Sequence, residues 1–167
     1  MKNFQITAKE DGKKYWISRS IAVASFIFSF IDNKLCILAN LRGSGTPDFQ
    51  NCWNCPCGYL DYDETTKEAA CREVREETGI VITPNDLILH YVQDDPCENQ
   101  QNVTLRYRAF ITSIKEVPLT GGEENEVAEI KWIPINEIDN YTWAFNHNQI
   151  IKSIYNDIFR TVCQTAY

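Results

Sequence analysis

The chain is short of histidine, with only His90 and His147, and has no apolar run long enough to cross a bilayer. Its longest such run, Ile21 to Ile31, covers 11 residues and is broken by Ser25 and Ser29, whereas a membrane-spanning helix needs about 20. A mostly polar lead-in precedes that run and no small-residue cleavage site follows it. A secretory signal is therefore not expected, and a cytoplasmic location is. Positive charge is also in deficit: 16 Lys and Arg stand against 23 Asp and Glu, for a net charge of −7. That balance argues against long nucleic-acid polymers as partners. It leaves room for a single nucleotide, because bound cations reverse the local sign. Repeats, linkers and low-complexity segments are missing, and 44% hydrophobic with 23% charged residues is an ordinary globular mix. One domain over residues 1–167 is expected, with 1–16 as a polar lead-in.

Cysteine is not scarce. There are seven, an odd number, and Cys52, Cys55 and Cys57 crowd into C-x-x-C-x-C. A closed zinc site needs four well-placed ligands, and no second Cys or His pair lies nearby. Reduced thiols are the expectation.

The densest chemistry lies in residues 58–80, GYLDYDETTKEAACREVREETGI. Glu73, Glu76 and Glu77 stand at i, i+3 and i+4, so on a helix they project within one turn of the same face. Three carboxylates that close repel one another unless a cation neutralises them. Mg²⁺ or Mn²⁺ suits them, since hard ions prefer carboxylate oxygen and keep waters that substrate phosphates can replace. Arg72, four residues before Glu76, is placed to orient or partly neutralise the cluster. An ordinary solvated helix with i,i+4 pairs would show a similar charge run, but the flanking residues point elsewhere. Thr65 and Glu68 have capping-box spacing, Ala69, Ala70 and Val74 give a small apolar face, and Gly79 is placed to end the helix in the left-handed region. Ahead of the helix, Cys57-Gly58-Tyr59 is expected to be a turn-prone entry that needs backbone freedom at Gly58.

Around this segment the pattern predicts strands over 18–31 and 35–41, joined by a two-residue turn at Asp32-Asn33. Further strands are expected over about 52–60, 86–92, 103–114 and 127–133. Ile150, Ile151, Ile154, Tyr155 and Ile158 recur at helical spacing, so a C-terminal helix should pack on the core. The sum is an α/β chain with a mixed sheet between helices.

Gly58, Glu64 and the run from Arg72 to Ile80 fill every fixed position of G-x5-E-x7-R-E-U-x-E-E-x-G-U, where U is a bulky apolar residue. The segment resembles the Nudix box of hydrolases that cleave nucleoside diphosphates linked to another group. Trp53-Asn54-Cys55-Pro56 precedes it much as W-x-x-P precedes the Gly pair in many members. The resemblance implies an α/β/α sandwich and a divalent-metal-dependent enzyme, with homodimers common among similar proteins. It implies that Glu73, Glu76, Glu77 and the backbone carbonyl of Cys57 hold the metal, with Glu64 and Arg72 orienting them. A general base from the acidic loop before the last strand is implied too, Glu126 first and Glu124 next. Where relatives have Gly-Gly, this chain has Cys57-Gly58.

That departure brings in two other readings. Isopentenyl-diphosphate isomerase has a Nudix-like fold with a catalytic Cys beside the corresponding Gly, which would give Cys57 that role. Its metal site is built largely from histidines, one just after the Gly where Tyr59 stands here, and it lacks the full carboxylate cluster. Non-catalytic sensors of nucleotide derivatives tend to lose box carboxylates, and none is lost here. For the substrate, Arg42 and Arg106 are candidate phosphate contacts, and Tyr91, Tyr107 and Phe49 candidate stacking partners for a base. Pro96, 16 residues after the box, lies near a Pro position associated with ADP-ribose-cleaving relatives.

Overall fold

The computed structural model describes residues 2–96, 101–112 and 125–164, the last six by backbone alone. Phe4–Thr7 (β1) and Lys14–Ile17 (β2) pair antiparallel as a hairpin of their own, apart from the main sheet. The polar lead-in thus forms a two-stranded hairpin. A local hydrogen bond from the Tyr15 hydroxyl to Asp11 Oδ2 at 2.6 Å helps close it.

The main sheet grows from the hairpin of Ile21–Ile31 (β3) and Lys34–Arg42 (β4). Asp32 and Asn33 have φ of 48° and 62°, the pair of positive values that a two-residue turn matched to strand twist requires. Trp53–Asn54 (β5) and Cys57–Tyr59 (β6) come next, then a helix at Thr66–Thr78 (α1). Ile88–Gln93 (β7), Val103–Phe110 (β8) and Val127–Pro134 (β9) complete the sheet. A 3₁₀ turn at Ile135–Asn140 leads on to a second helix, His147–Gln164 (α2). Among the described strands β3 runs parallel to β8 and the other strand pairs are antiparallel, so the sheet is mixed.

The pairing has one consequence for function. β3 and β4 are hydrogen-bonded only at their hairpin end, from Phe28↔Ile37 to Ile31↔Lys34. Beyond it they part, and β5 pairs with β4 at Asn40 and Leu41 while β6 pairs with β3 at Ala22 to Ala24. The single strand expected over 52–60 is therefore two, divided at Cys55-Pro56. Proline has no N–H to offer a ladder, and the Pro56 carbonyl is taken by the Ser25 N–H at 2.8 Å. The parted end of the central hairpin is where the site forms.

Alternation along β3 assigns its faces. Val23 and Ile27, with Leu38, pack under Ala69, Ala70 and Val74 of α1. Ala24, Phe26 and Phe28, with Ile37 and Ala39, pack under Ile150, Ile151 and Ile154 of α2. The result is an α/β/α sandwich whose two small alanines let α1 lie close to the sheet. Among the described residues no helix is long and apolar enough to cross a membrane.

Candidate active site

The carboxylates are positioned first by the ends of α1. Thr65 Oγ1 accepts the Glu68 N–H at 3.3 Å while the Thr65 N–H donates to Glu68 Oε2 at 2.7 Å, a reciprocal cap. Gly79, at φ 75°, ends the helix with its N–H donating to the Arg75 carbonyl at 2.8 Å. Only glycine takes that conformation without strain. The register of residues 72–77 is thereby fixed.

Arg72 is the hub on that register. Its guanidinium grips Glu64 with both arms, at 3.1 and 2.9 Å, and donates to Glu73 at 2.7 Å, to Glu76 at 3.1 Å and to the Tyr59 carbonyl at 3.0 Å. Glu64 in turn accepts the Asp61 N–H at 2.8 Å. The Arg72 hydrogen bond holds the Glu64 carboxyl below its usual range, and the carboxylates hold Arg72 more firmly charged. Glu76 sits on the exposed side, between Arg72 and Arg75.

Gly58 has a different reason to be glycine from the one expected. It lies in β6, and among the described glycines left-handed backbone belongs to Gly12 and Gly79. A Cβ on Gly58 would collide with the Glu73 carboxylate. The constraint is close approach, not a turn. Glu77, half-buried beside this contact, accepts the Cys57 N–H at 3.3 Å. Burial, followed by the charge of Glu73, pushes the Glu77 carboxyl well above its usual range, with Arg42 as the opposing cation. Burial raises Glu73 as well, against the pull of Arg72.

Glu73, Glu77, Cys57 and Gly58 line a cavity of about 680 Å³ at the parted end of β3 and β4. Arg42, Arg106 and Glu126 face the same space. Glu126 is placed by a contact the sequence reading missed. The Gly43 N–H donates to the Glu126 carbonyl at 2.7 Å and the Gly45 N–H to the Asn125 carbonyl at 2.8 Å, and a Cβ on Gly43 would strike the Asn125 carbonyl. Arg42 is already engaged, donating to Asp48 Oδ1 at 2.6 Å and lying 5.0 Å over the Phe145 ring. Glu124 lies outside the described residues.

The stacking candidates divide. Phe49 lines the cavity, edge-to-face with Phe145 at 4.8 Å. Tyr107 is buried, its hydroxyl 2.7 Å from Thr66 Oγ1, and serves packing. Tyr91 does not line the main cavity: its ring lies 5.5 Å under the Arg106 guanidinium, in a neighbouring pocket. Pro96 stays in the loop after β7, where Asp95 before it reaches the cavity wall.

Phe145 and His147 are also cavity residues that sequence reasoning passed over. Nothing in their local pattern singled them out in the sequence. Cys55 is fully buried, and its N–H donates to His147 Nδ1 at 3.0 Å. Cys57 Sγ accepts from Asn54 Nδ2 at 3.3 Å, and burial pushes its thiol up to about 12. The five described cysteines outside α2 are unpaired. Among the described residues no three His, Cys, Asp or Glu side chains converge on one ion site.

Comparison with known proteins places this geometry. An ADP-ribose pyrophosphatase of Methanocaldococcus jannaschii is 29% identical over 150 residues, 89% of this chain and 81% of the relative. The phosphatase NudJ of Escherichia coli is 33% identical over 86 residues, 52% of this chain and 54% of its own length. The NUDIX domain of Shewanella oneidensis NrtR, solved with ADP ribose, superimposes with a TM-score of 0.68 at 21% identity, covering 85% of this chain and 90% of that one. The defining pattern of the NUDIX domain matches residues 21–154, and the chain belongs to that family.

Proposed function

We propose that this Nudix hydrolase cleaves the pyrophosphate linkage of a nucleoside diphosphate derivative, yielding a nucleoside monophosphate and the phosphorylated remainder. An ADP-ribose-like substrate is favoured over an oxidised nucleoside triphosphate. The observation that carries the reading is the pair Glu73 and Glu77, half-buried against Gly58 in the wall of a cavity of about 680 Å³. That space is in the range of small-molecule sites. The M. jannaschii relative and the ADP ribose bound by the S. oneidensis domain favour the substrate class.

The donors suit Mg²⁺ or Mn²⁺: carboxylate oxygens of Glu73 and Glu77, which line the cavity, with the Cys57 carbonyl, all hard ligands. Glu76, held on the exposed side by Arg72 and Arg75, would have to turn inward to join them. Buried acids with raised pKa values lack the counter-charge that such an ion brings. When bound, the ion neutralises phosphate charge and makes a water acidic. Among protein groups, Arg72 and Glu64 hold the carboxylates in register. Arg42 and Arg106 present positive charge to phosphate oxygens, and Glu126 takes the proton of the attacking water.

The test is incubation with Mg²⁺ or Mn²⁺ and a panel of ADP-ribose, NADH, dinucleoside polyphosphates, nucleotide sugars, nucleoside triphosphates and isopentenyl diphosphate, with products separated chromatographically. Metal-dependent AMP and ribose 5-phosphate from ADP-ribose is the expected result. Isomerisation of isopentenyl diphosphate without any hydrolysis would transfer the chemistry to Cys57 and overturn it.

A further inference from the structure

We infer that His147 takes part in recognising the base: its Nε2–H, in a ring that lines the cavity, donates to an uncharged in-plane acceptor on the heteroaromatic ring of the substrate. The inference rests on the hydrolase reading above and deepens it. His147 is 4% exposed, at the first turn of α2, and lines the cavity that holds Glu73 and Glu77.

Three observations assign the role. The first is the tautomer. Nδ1 accepts the Cys55 N–H at 3.0 Å, and an imidazole that accepts at one nitrogen in its neutral form carries its proton on the other. Burial pushes the His147 pKa down to about 3, so the ring stays neutral at any working pH and Nε2 is a donor. Among the described residues no side chain or carbonyl is seen to accept from it, so a ligand acceptor in the cavity can.

The second is the company the ring keeps. Phe26 meets it edge-on at 5.2 Å, Phe145 lies tilted to it at 5.5 Å, and Phe145 in turn meets Phe49 edge-to-face at 4.8 Å. Phe49 and Phe145 also line the cavity, so this stretch of wall is aromatic, with the Arg42 guanidinium lying over Phe145. These ring faces and edges suit a flat heteroaromatic ring, while Arg42 and Arg106 remain for the phosphates.

The third is backbone strain. Phe49, Phe145 and Asn146 hold φ of 49°, 55° and 57°, the left-handed region that non-glycine residues rarely adopt. Strain at adjoining positions persists only where surrounding structure enforces it, and it gathers at ligand sites. Here it sets Phe145 between the Arg42 guanidinium and His147.

The experiment compares AMP and ribose 5-phosphate as probes, by calorimetry with saturating Mg²⁺, on wild type, H147F and H147Q. Phe keeps the ring packing and removes the donor. Gln can accept from Cys55 through Oε1 and donate through Nε2. The expected result is AMP binding about tenfold weaker in H147F, a usual size for one lost hydrogen bond to a ligand. H147Q should regain most of it, and ribose 5-phosphate should bind all three proteins alike. Equal AMP affinity in H147F and wild type overturns the proposal, as does equal weakening of both probes. Should H147F fail to fold, ring ¹⁵N NMR of the wild type decides: an Nε2–H resonance that shifts with AMP but not with ribose 5-phosphate supports the assignment, and one unmoved by AMP overturns it. Failure of the hydrolase reading shows separately, as absence of turnover across the substrate panel with AMP binding unchanged.

Discussion

The two walls of the cavity are built in opposite ways. The carboxylate wall comes from 20 consecutive residues, Gly58 to Glu77, on one short strand and one capped helix. The ring wall joins Arg42, which ends β4, and Phe49, in the loop after it, to Phe145 and His147, which lead into and start α2. Helical periodicity fixes the first locally, and Arg72 resolves its charge within a single turn and the preceding loop. The second exists only because β3 and β4 part and α2 closes over the gap. The proposed function thus puts the metal-binding carboxylates on the rigid local unit, and base recognition on the part assembled from distant segments.

The comparison predicts that lesions in the first wall lower turnover and lesions in the second raise KM. The largest effect is expected for E77Q. Turnover should fall by about 10²–10⁴-fold, the range for loss of a group acting in the transition state, with the fold intact by circular dichroism. Unchanged turnover would break the proposed mechanism. Next comes R72A, which strands Glu64, Glu73 and Glu76 together. A drop of about 10–100-fold in activity is expected, as for groups that orient metal ligands, with a loss of about 2 kcal/mol in denaturant titration.

G58A and F145A make the sharpest pair. The Gly58 Cβ meets the far end of a flexible Glu73 side chain rather than backbone. G58A should therefore lose about tenfold in kcat, in line with misplaced metal ligands, at little cost in Tm. F145A removes the ring between Arg42, Phe49 and His147, and should raise KM about tenfold while kcat stays within a factor of two. Both effects falling on kcat would erase the division between the walls.

The smallest effect is a pH dependence. The fold raises the Glu77 pKa above its ordinary 4.5, so it favours the protonated form. That stabilisation is complete below the unfolded value and is lost as pH rises through the folded one. E77Q escapes the loss. In metal-free buffer, its Tm advantage over wild type should widen from pH 4.5 toward neutrality, and saturating Mg²⁺ should narrow it by stabilising the wild type. A gap that shrinks with rising pH would contradict the burial of this carboxylate.

Much of the fold was legible because its signals are local. The Asp32-Asn33 turn, the Thr65–Glu68 cap, the Gly79 stop and the Ile150, Ile151 and Ile154 face of α2 each depend on a few neighbouring residues. Where a signal depended on a distant partner, the reading strayed. Residues 52–60 look like one strand, but two different partners, β4 and β3, take its halves. Gly58 looks like a turn glycine, yet its neighbour is a side chain 15 positions later. Tyr91, a candidate stacking partner, lies outside the main cavity with its ring beneath Arg106.

The sequence by itself determined the carboxylate helix, its caps and the family, because i,i+4 geometry and capping chemistry are properties of consecutive residues. Only the tertiary structure decided which groups share the cavity: Glu126 held by Gly43, Arg42 tied to Asp48, and His147 turned by the Cys55 N–H. Those contacts depend on where a parted hairpin and a late helix come to rest, and no local pattern in the chain encodes that meeting.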